Sequence, residues 1–544
     1  MQVVGSSFYT EIAIDQWTRE LPVKATRGEI IDYSGVVLAG NETAYTVYVR
    51  PRSVKDPKSV ASVLSKLFSL EESALYEKIT KSKSSEITAA KRVERAQVLE
   101  LEGYDLDGVY YSTDNVRVYP YGEALCRILG YTSADGFGQS GLEQYYDEYL
   151  KGIDGEILYE ADLVGKDVEG KAPSYIAATK GLTLRLNIDY EIQQIAEAVI
   201  EKAAQKYTPK GAAVIVMEPK SGRVLSMAEY PSFDLNFPPR DDIDYLLSAS
   251  RSGMISDSYE PGSTFKIITS AANIEEALKG SAAAIPLDHV FPNNRYRTVL
   301  GRKIKCWSSH EKGKHANQTL KEALNNSCNP CFVDIALSLG KQTMYEYIKA
   351  FNFGKTTGID FKGEASGMMI PLSSVTEGDI ARISFGQTIA VTQLQLAAAA
   401  CACVNGGTYY SPTLVCEVCD SDYLPVEIVT PKTVRRVISE NASKILAGYL
   451  EGVVSVGSGR QAFIEGYKVG GKTGTAQKYE NGAIAQGKYV MSFMGFFPSN
   501  DPKYLALLTV DEPVGGAYGS TVAAPLVKEL FQGIINAKNI DPFE

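Results

Sequence analysis

The stretch "GAAVIVMEPKSGRVLSMAEYP" at 211–231 decides the fold of the longer part of this chain. It has the pattern of a hairpin, with two apolar strands joined by a Pro-Lys-Ser-Gly turn. A second hairpin pattern, "YVMSFMGFFPSNDPKYLALLTVDEP", occupies 489–513, near the C-terminus. Strands at both ends of a long segment, with helical material between them, predict one antiparallel sheet assembled from distant parts of the chain. We therefore predict an α+β domain in which helices flank the sheet.

Two helices are expected beside this sheet, at 189–207 behind an Asp cap and at 520–539. Before them the chain is polar, tyrosine-rich and mixed, with a hairpin pattern at 29–49 and a short helix at 56–70. A Gly/Asp-rich passage at 150–181 separates the two regions. Since 544 residues exceed what one core usually serves, we predict two domains, a strand-rich one at 1–172 and the α+β domain at 173–544.

Composition and charge exclude several classes of function. The net charge of −10 argues against nucleic acid as a partner, because phosphate binding requires a basic surface. The longest apolar stretch, "LAAAACACV" at 396–404, is much shorter than the ~18 residues of a membrane span. The eight cysteines do not form a disulfide framework in a chain of this length, and most are expected to be buried as small apolar residues, including those at 401, 403, 416 and 419.

The stretch "YEPGSTFKIITS" at 259–270 contains the first candidate for chemistry. Ser263 and Lys266 stand three positions apart at the start of an apolar helix, so their side chains share one face. A serine hydroxyl needs a neighbouring base to act as a nucleophile, and a lysine away from water has a lowered pKa that suits this role. Alone, so common a pattern favours a helix cap followed by a lysine that reaches solvent.

Two further stretches favour the catalytic interpretation. "NNSCNP" at 325–330 places Ser327 and Asn329 at a break between two helical runs. "KVGGKTGTAQ" at 468–477 contains Lys472, Thr473, Gly474 and Thr475. The small residues of this stretch would let a backbone or a ligand approach a strand edge closely. "GYKVGGKT" at 466–473 also matches a nucleotide-binding loop, but that loop must be followed by a helix, and the glycine-punctuated "GTAQKYENGA" does not start one.

In this order, S-x-x-K, S-x-N and K-T-G resemble the penicillin-binding protein and serine β-lactamase superfamily. The resemblance extends to 211–236 and 384–415, which look like parts of a transpeptidase domain. "ATRGEIIDYSGVVLA" at 25–39 and "VRVYPYGEALCRILGYT" at 116–132 are similar to the pedestal, or dimerisation-type, module of class B penicillin-binding proteins. The chain thus resembles the division and sporulation D,D-transpeptidases of Gram-positive bacteria over nearly its whole length.

The resemblance implies a role for each residue of the motifs. Ser263 would attack the D-Ala-D-Ala bond of a peptidoglycan stem peptide, and Lys266 would take its proton. Ser327 would relay a proton to the leaving amine, and Lys472 would supply positive potential. The substrate would contact Asn329, Thr473, Gly474 and Thr475, with the backbone N–H groups of Ser263 and Thr475 as the oxyanion hole. Catalysis would need no cofactor.

A cluster of Cys and His residues surrounds the second motif. The chain has eight cysteines and three histidines, and five of these eleven residues lie within 306–331. Such a set suits tetrahedral zinc. The resemblance adds that some class B members carry zinc near this motif, with His at position 315. The preferred ligands are therefore Cys306, His315 and Cys328, with His310 and Cys331 in reserve. Packing of buried thiols without a metal is the alternative, and a zinc ion here would be structural.

Several alternatives and consequences remain open at this point. A D,D-carboxypeptidase or β-lactamase of the same superfamily is the nearest rival, followed by a non-catalytic cell-wall scaffold and an ATP-binding protein. The resemblance implies an extracytoplasmic location, with an N-terminal transmembrane helix upstream of Met1. It also implies β-lactams as inhibitors and a polytopic membrane glycan polymerase as partner. A septal, elongation or spore-cortex role is not distinguished.

Overall fold

The computed structural model describes residues 18–160, 174–308, 315, 317–480, 483–516 and 518–542. The strands are β1 Thr18–Val23, β2 Ile30–Ile31, β3 Val37–Val49, β4 Ile87–Val93, β5 Val109–Val118, β6 Gly155–Glu160, β7 Ser174–Ile176, β8 Thr183–Leu186, β9 Gly211–Met217, β10 Val224–Tyr230, β11 Tyr296–Val299, β12 Arg302–Lys305, β13 Thr408–Tyr410, β14 Val415–Cys419, β15 Pro425–Ile428, β16 Thr433–Arg436, β17 Gly470–Glu480, β18 Ala483–Phe497 and β19 Tyr504–Asp511. The helices are α1 Pro57–Phe68, α2 Glu72–Lys81, α3 Arg95–Glu102, α4 Cys126–Leu129, α5 Gly141–Tyr145, α6 Asp147–Leu150, α7 Tyr190–Tyr207, α8 Ile243–Ala249, α9 Gly253–Ser256, α10 Lys266–Leu278, α11 Leu320–Asn325, α12 Asn329–Ala350, α13 Glu377–Ile383, α14 Gln393–Val404, α15 Glu440–Ser455 and α16 Gly519–Ala537.

A five-stranded antiparallel sheet organises the C-terminal part, in the order β10-β9-β19-β18-β17. Alternate side chains of β9 point to opposite faces, as strand geometry requires. Val214 and Val216 pack in one core with α7 and α16, and Ile215 and Met217 pack in a second core with α10 and α14. Both faces are therefore covered, which explains why the strand is apolar along its length. The predicted sheet and both hairpins that build it are confirmed.

Helix α10 crosses the larger core and is buried on every side over its first ten residues. Such a helix is apolar all round because it meets protein in every direction. Its first residue is Lys266, whose side chain is fully buried. The fold thus places a lysine ammonium group where water does not reach it, which sets up the chemistry of the site.

The N-terminal part is strand-rich, as predicted, and shares a sheet with the rest of the chain. Strands β2, β3, β4 and β5 join β8, β14 and β15 in one seven-stranded sheet. Its centre is the parallel pair of β2 and β8, in which Ile30 lies opposite Leu184. The sheet therefore crosses position 172/173, where the sequence predicts a domain boundary. A separate core under β3 and β4 is closed by α1, α2 and α3.

None of the helices in the described ranges is long and apolar enough to span a lipid bilayer. All eight cysteines lie in the described part of the chain, and none of them forms a disulfide. Those at 401, 403, 416 and 419 are buried, as expected. The prediction that the chain has no disulfide framework is confirmed.

Candidate active site

Ser263 lies in a 3₁₀ turn, Gly262–Phe265, that leads directly into α10. It is a residue of this first turn and not an N-cap, since Pro261 precedes the turn. Among the described residues, the Ser263 hydroxyl has no hydrogen-bond partner, although its neighbours Thr264 and Phe265 are fully buried. The serine is therefore held by its backbone, and its oxygen is left for a ligand.

The hydrogen bonds that Lys266 donates go to the second motif. Its Nζ donates to the backbone oxygen of Ser327 at 2.8 Å, to Ser327 Oγ at 3.2 Å and to Asn329 Oδ1 at 2.7 Å. Burial lowers the pKa of Lys266 to about 8, because the charged form loses its hydration. A neutral amine, able to accept a proton, is thus accessible near neutral pH.

Ser327 connects the two buried lysines of the site. Lys472, on β17, donates from Nζ to Ser327 Oγ at 3.0 Å. Burial, with the nearby Lys266, lowers the pKa of Lys472 well below its usual value. Ser327 itself adopts a left-handed backbone conformation, with φ of 52°. Such strain in a non-glycine residue is common at functional sites, where the surroundings hold it in place.

The third motif lies on an open edge of the five-stranded sheet. Strand β17 is the last in the strand order, so its outer edge can pair with an extended peptide. Lys472 Nζ also donates to the backbone oxygen of Thr473, and Thr475 Oγ1 accepts from the N–H of Gly519, the first residue of α16. A Cβ on Gly474 would lie 3.2 Å from the backbone oxygen of Pro261. The absence of a side chain there lets β17 pack against the turn that carries Ser263.

The structure brings together every residue of the three motifs that the sequence predicts, on the turn before α10, the break before α12, and β17. It also shows neighbours that sequence reasoning missed. Ser458 Oγ lies 3.5 Å from Thr473 Oγ1. Trp307, which is 58% exposed, donates to the backbone oxygen of Asn326, next to Ser327, and its ring contacts that of Tyr518. Their sequence separation gives no periodic signal, although Trp307 is one of only two tryptophans.

Gly386 is expected to be intolerant of a side chain. Its φ is +79°, and a Cβ would lie 2.1 Å from the backbone oxygen of Gly262, next to Ser263. We expect Gly386→Ala to lower the free energy of unfolding by ~2 kcal/mol or more and the rate of serine acylation by ~10-fold or more. Thermal unfolding and acylation by a fluorescent penicillin measure these effects.

Gly280→Ala is the matched control for this change. Gly280 has a similar φ, +72°, but a Cβ there meets no atom within 4 Å. Only backbone strain of ~1 kcal/mol should appear, with acylation unchanged. Equal effects of the two substitutions on acylation would show that the contact between Gly386 and Gly262 does not position the serine.

Beside the second motif, Cys306, His315 and Cys328 lie together. Their candidate ligand atoms are all within 4.8 Å of one another. The Sγ of Cys306 is 3.6 Å from Nδ1 of His315 and 3.8 Å from the Sγ of Cys328. In a tetrahedron with Zn–S of ~2.3 Å and Zn–N of ~2.1 Å, the corresponding separations are ~3.6 and ~3.8 Å. The three predicted ligands therefore fit one zinc ion.

Of the two reserve ligands, only Cys331 can be placed. It is buried, and its Sγ accepts from Gln318 Nε2 at 3.8 Å, while His310 lies outside the described residues. His315 has φ of 62°, a left-handed backbone conformation. Contact with Cys328 and burial raise the pKa of the Cys306 thiol. Metal binding here would have to displace thiol protons.

A serine with a free hydroxyl, two buried lysines and an open strand edge, mounted on an α+β domain, define a serine acyl-transfer site. Family comparisons give the same class. Residues 212–532 match the model of the penicillin-binding protein transpeptidase domain, and residues 22–186 match that of the penicillin-binding protein dimerisation domain. The chain belongs to the class B penicillin-binding proteins.

Individual relatives cover the chain from end to end. It is 39% identical to the stage V sporulation protein D of Bacillus subtilis, over 100% of this chain and 83% of that protein. It is 27% identical to the probable peptidoglycan D,D-transpeptidase PenA of Neisseria meningitidis, over 100% and 90% of the two chains. It is 26% identical to the peptidoglycan D,D-transpeptidase FtsI of Escherichia coli, over 100% of this chain and 89% of that protein.

Solved structures share the fold. Penicillin-binding protein 2X of Streptococcus thermophilus matches with a TM-score of 0.78 at 22% identity, over 97% of this chain and 83% of that one. Penicillin-binding protein 3 of Mycobacterium tuberculosis, in complex with aztreonam, matches with a TM-score of 0.73 at 22% identity, over 96% and 98% of the two chains. The predicted fold class is confirmed, including an N-terminal dimerisation domain.

Proposed function

We propose that the protein is a peptidoglycan D,D-transpeptidase that cross-links stem peptides through an acyl-enzyme on Ser263, and that β-lactams acylate the same serine. The observation that carries the proposal is the Lys266–Ser327–Lys472 network beside a serine with a free hydroxyl. Family membership supports the reaction class, and the sporulation and division relatives support a role in the wall synthesis of one of these processes.

Acylation begins with the attack of Ser263 Oγ on the carbonyl carbon of the penultimate D-Ala. Neutral Lys266 accepts the hydroxyl proton as the C–O bond forms. The C–N bond to the terminal D-Ala then breaks, and its nitrogen takes a proton through Ser327, which touches both lysines. Backbone N–H groups of Ser263 and Thr475 stabilise the negative oxygen, an effect worth ~3 kcal/mol per donor.

Substrate binding uses the third motif and the second. Thr473 and Thr475 hold the terminal carboxylate near the positive potential of Lys472, while Asn329 meets the peptide amide. An amine of a neighbouring strand then attacks the ester, forming a C–N bond as the bond to Ser263 Oγ breaks. The open edge of β17 supports the binding of an extended peptide in this position.

Product analysis distinguishes this function from its rivals. Incubation with a D-Ala-D-Ala pentapeptide and an amine acceptor should release D-Ala and yield the cross-linked dimer, detected by mass spectrometry. Release of D-Ala with only the hydrolysed tetrapeptide would indicate a carboxypeptidase, and rapid turnover of penicillin a β-lactamase. No reaction with either substrate would favour a scaffold.

The substrate and the family also indicate where the protein works. Peptidoglycan is assembled outside the cytoplasmic membrane, so we propose that the enzyme acts at the extracytoplasmic face, anchored by an N-terminal transmembrane helix. A polytopic glycan polymerase is the proposed partner, since cross-linking requires freshly polymerised strands. Co-purification of the membrane-anchored protein with a glycan polymerase, lost on removal of the anchor, tests this partnership.

We also propose a structural zinc ion held by Cys306, His315 and Cys328. The agreement of two interatomic separations, Cys306 to His315 and Cys306 to Cys328, with tetrahedral zinc supports it, and all three ligand atoms lie within 4.8 Å of one another. Cys328 stands between Ser327 and Asn329, so its fixation would hold the second motif against Lys266. Zinc would supply no step of the acyl transfer, since its contribution is the placement of the residues that perform it.

Zinc content and thermal stability test the metal proposal. Protein purified without chelator should carry about one zinc per chain, and chelation should lower the unfolding temperature by several degrees, because binding energy is folding energy. Cys306→Ala and Cys328→Ala should both lose the metal. Cys401→Ala, a buried thiol away from the cluster, should keep it. Zinc absent from the wild type, or retained by the double variant of Cys306 and Cys328, would contradict the proposal.

A further inference from the structure

The turn at 456–459, which follows α15, contacts both the second and the third motif. The backbone N–H of Ser458 donates to the backbone oxygen of Asn325 at 2.8 Å, two residues before Ser327. A Cβ on Gly457 would lie 2.7 Å from the same oxygen, so the turn packs closely against this part of the chain. The backbone of the second motif therefore fixes where the Ser458 side chain lies.

The Ser458 hydroxyl has Thr473 of the third motif as its neighbour. The two hydroxyl oxygens are 3.5 Å apart, and this is the one hydrogen-bond contact that Ser458 Oγ makes with the described residues. Catalytic-site hydrogen bonds are often long in a substrate-free enzyme and tighten when the substrate binds. The turn itself is held through its backbone, so its conformation does not depend on this hydroxyl.

A threonine that binds a carboxylate has to donate its hydroxyl hydrogen, because a carboxylate only accepts. That single hydrogen is available only when the other hydrogen bonds of the threonine oxygen are ones that it accepts. Thr475 meets this condition, since its Oγ1 accepts from the backbone N–H of Gly519 at 3.0 Å. A backbone N–H cannot accept, so the hydrogen of Thr475 is left for another acceptor.

Thr473 has no backbone donor of this kind within the described residues. Its Oγ1 accepts from Lys472 Nζ at 3.4 Å, the longest hydrogen bond of an ammonium group that also donates to Ser327 Oγ at 3.0 Å. The second neighbour of the Thr473 oxygen is the Ser458 hydroxyl, which can donate or accept. Only when Ser458 donates is the hydrogen of Thr473 free for the substrate.

We propose that Ser458 is a positioning residue for substrate recognition. Its hydroxyl donates to Thr473 Oγ1 and thereby directs the hydrogen of Thr473 toward the terminal carboxylate of the acyl donor. This inference rests on the proposed transpeptidase function, which assigns that carboxylate to Thr473 and Thr475. No hydrogen bond joins Ser458 to Ser263 or Lys266 in the described structure, so its contribution is to binding of the carboxylate and not to the chemical step.

Two thioester donors test this role. One has a leaving group that ends in a carboxylate, and the other is the same donor ending in a carboxamide. The ratio of their kcat/KM values for thiol release measures the preference of the enzyme for the carboxylate. Ser458→Ala removes the hydroxyl and keeps the backbone N–H that binds Asn325. Loss of one hydrogen bond should lower the ratio ~5-fold, through the carboxylate donor alone.

Two further variants separate the hydroxyl from the shape of the turn. Ser458→Thr keeps a hydroxyl and should hold the ratio near its wild-type value. Ser455, the last residue of α15, makes no hydrogen bond to the third motif in the described structure, and Ser455→Ala should leave the ratio unchanged.

The outcomes distinguish this inference from the function on which it rests. An unchanged ratio in Ser458→Ala, an equal fall with both donors, or a fall that Ser458→Thr shares would overturn the role of the hydroxyl. If the wild type reacts with neither thioester donor nor with penicillin, the proposed function itself fails.

Discussion

Ser263→Ala is expected to lower acyl transfer by at least ~10⁴-fold, because no other group can form the ester. Release of D-Ala from a pentapeptide donor measures the loss. Since the Ser263 hydroxyl makes no hydrogen bond within the described residues, the free energy of unfolding should change by less than ~0.5 kcal/mol. The expected result is thus a folded protein without activity.

Ser270→Ala is the control for this prediction. Ser270 lies on the same helix, is fully buried, and its hydroxyl also has no partner in the described part of the chain. This variant should keep its activity. Substantial D-Ala release by the Ser263→Ala variant would show that another residue is the nucleophile.

Lys266→Met is expected to lower the acylation rate by ~10²–10⁴-fold, the contribution of a positioned general base. Methionine fills a similar volume but cannot take the proton, and it leaves the oxygens of Ser327 and Asn329 without their donor. Stopped-flow acylation by a fluorescent penicillin measures the rate. Lys341→Met, at an exposed position, should have no effect.

The pH dependence separates a base from a purely structural lysine. The pKa of Lys266 is lowered to about 8, so the neutral form needed for proton acceptance increases as the pH rises through 8. Wild-type acylation should therefore rise through this range and level off above it, while the slow reaction of Lys266→Met should lack this step. A wild-type rate independent of pH from ~6.5 to ~9.5 would contradict the assignment of Lys266 as base.

The residues of the candidate active site could be predicted from the sequence more completely than the architecture of the fold. Ser263, Ser327 and Lys472 belong to short motifs whose residues lie close together in the chain, so their types and order suffice to indicate the site. The hairpin pattern of β9 and β10 is equally local, and it was predicted correctly. The hydrogen bonds of Lys266 to Ser327 and Asn329 depend on how α10 packs against α12, which no local pattern contains.

Long-range pairing explains what could not be predicted. The parallel contact of β2 with β8, which joins the N-terminal part to the rest, connects segments about 150 residues apart, and β2 has only two residues.

Peptide mapping of the penicillin adduct tests the central claim most directly. After incubation with penicillin and proteolysis, mass spectrometry should find one stable penicilloyl group, attached to the peptide that contains Ser263, with none in Ser263→Ala. An adduct on another residue, or an unmodified wild-type protein under conditions in which it is folded, would contradict the account.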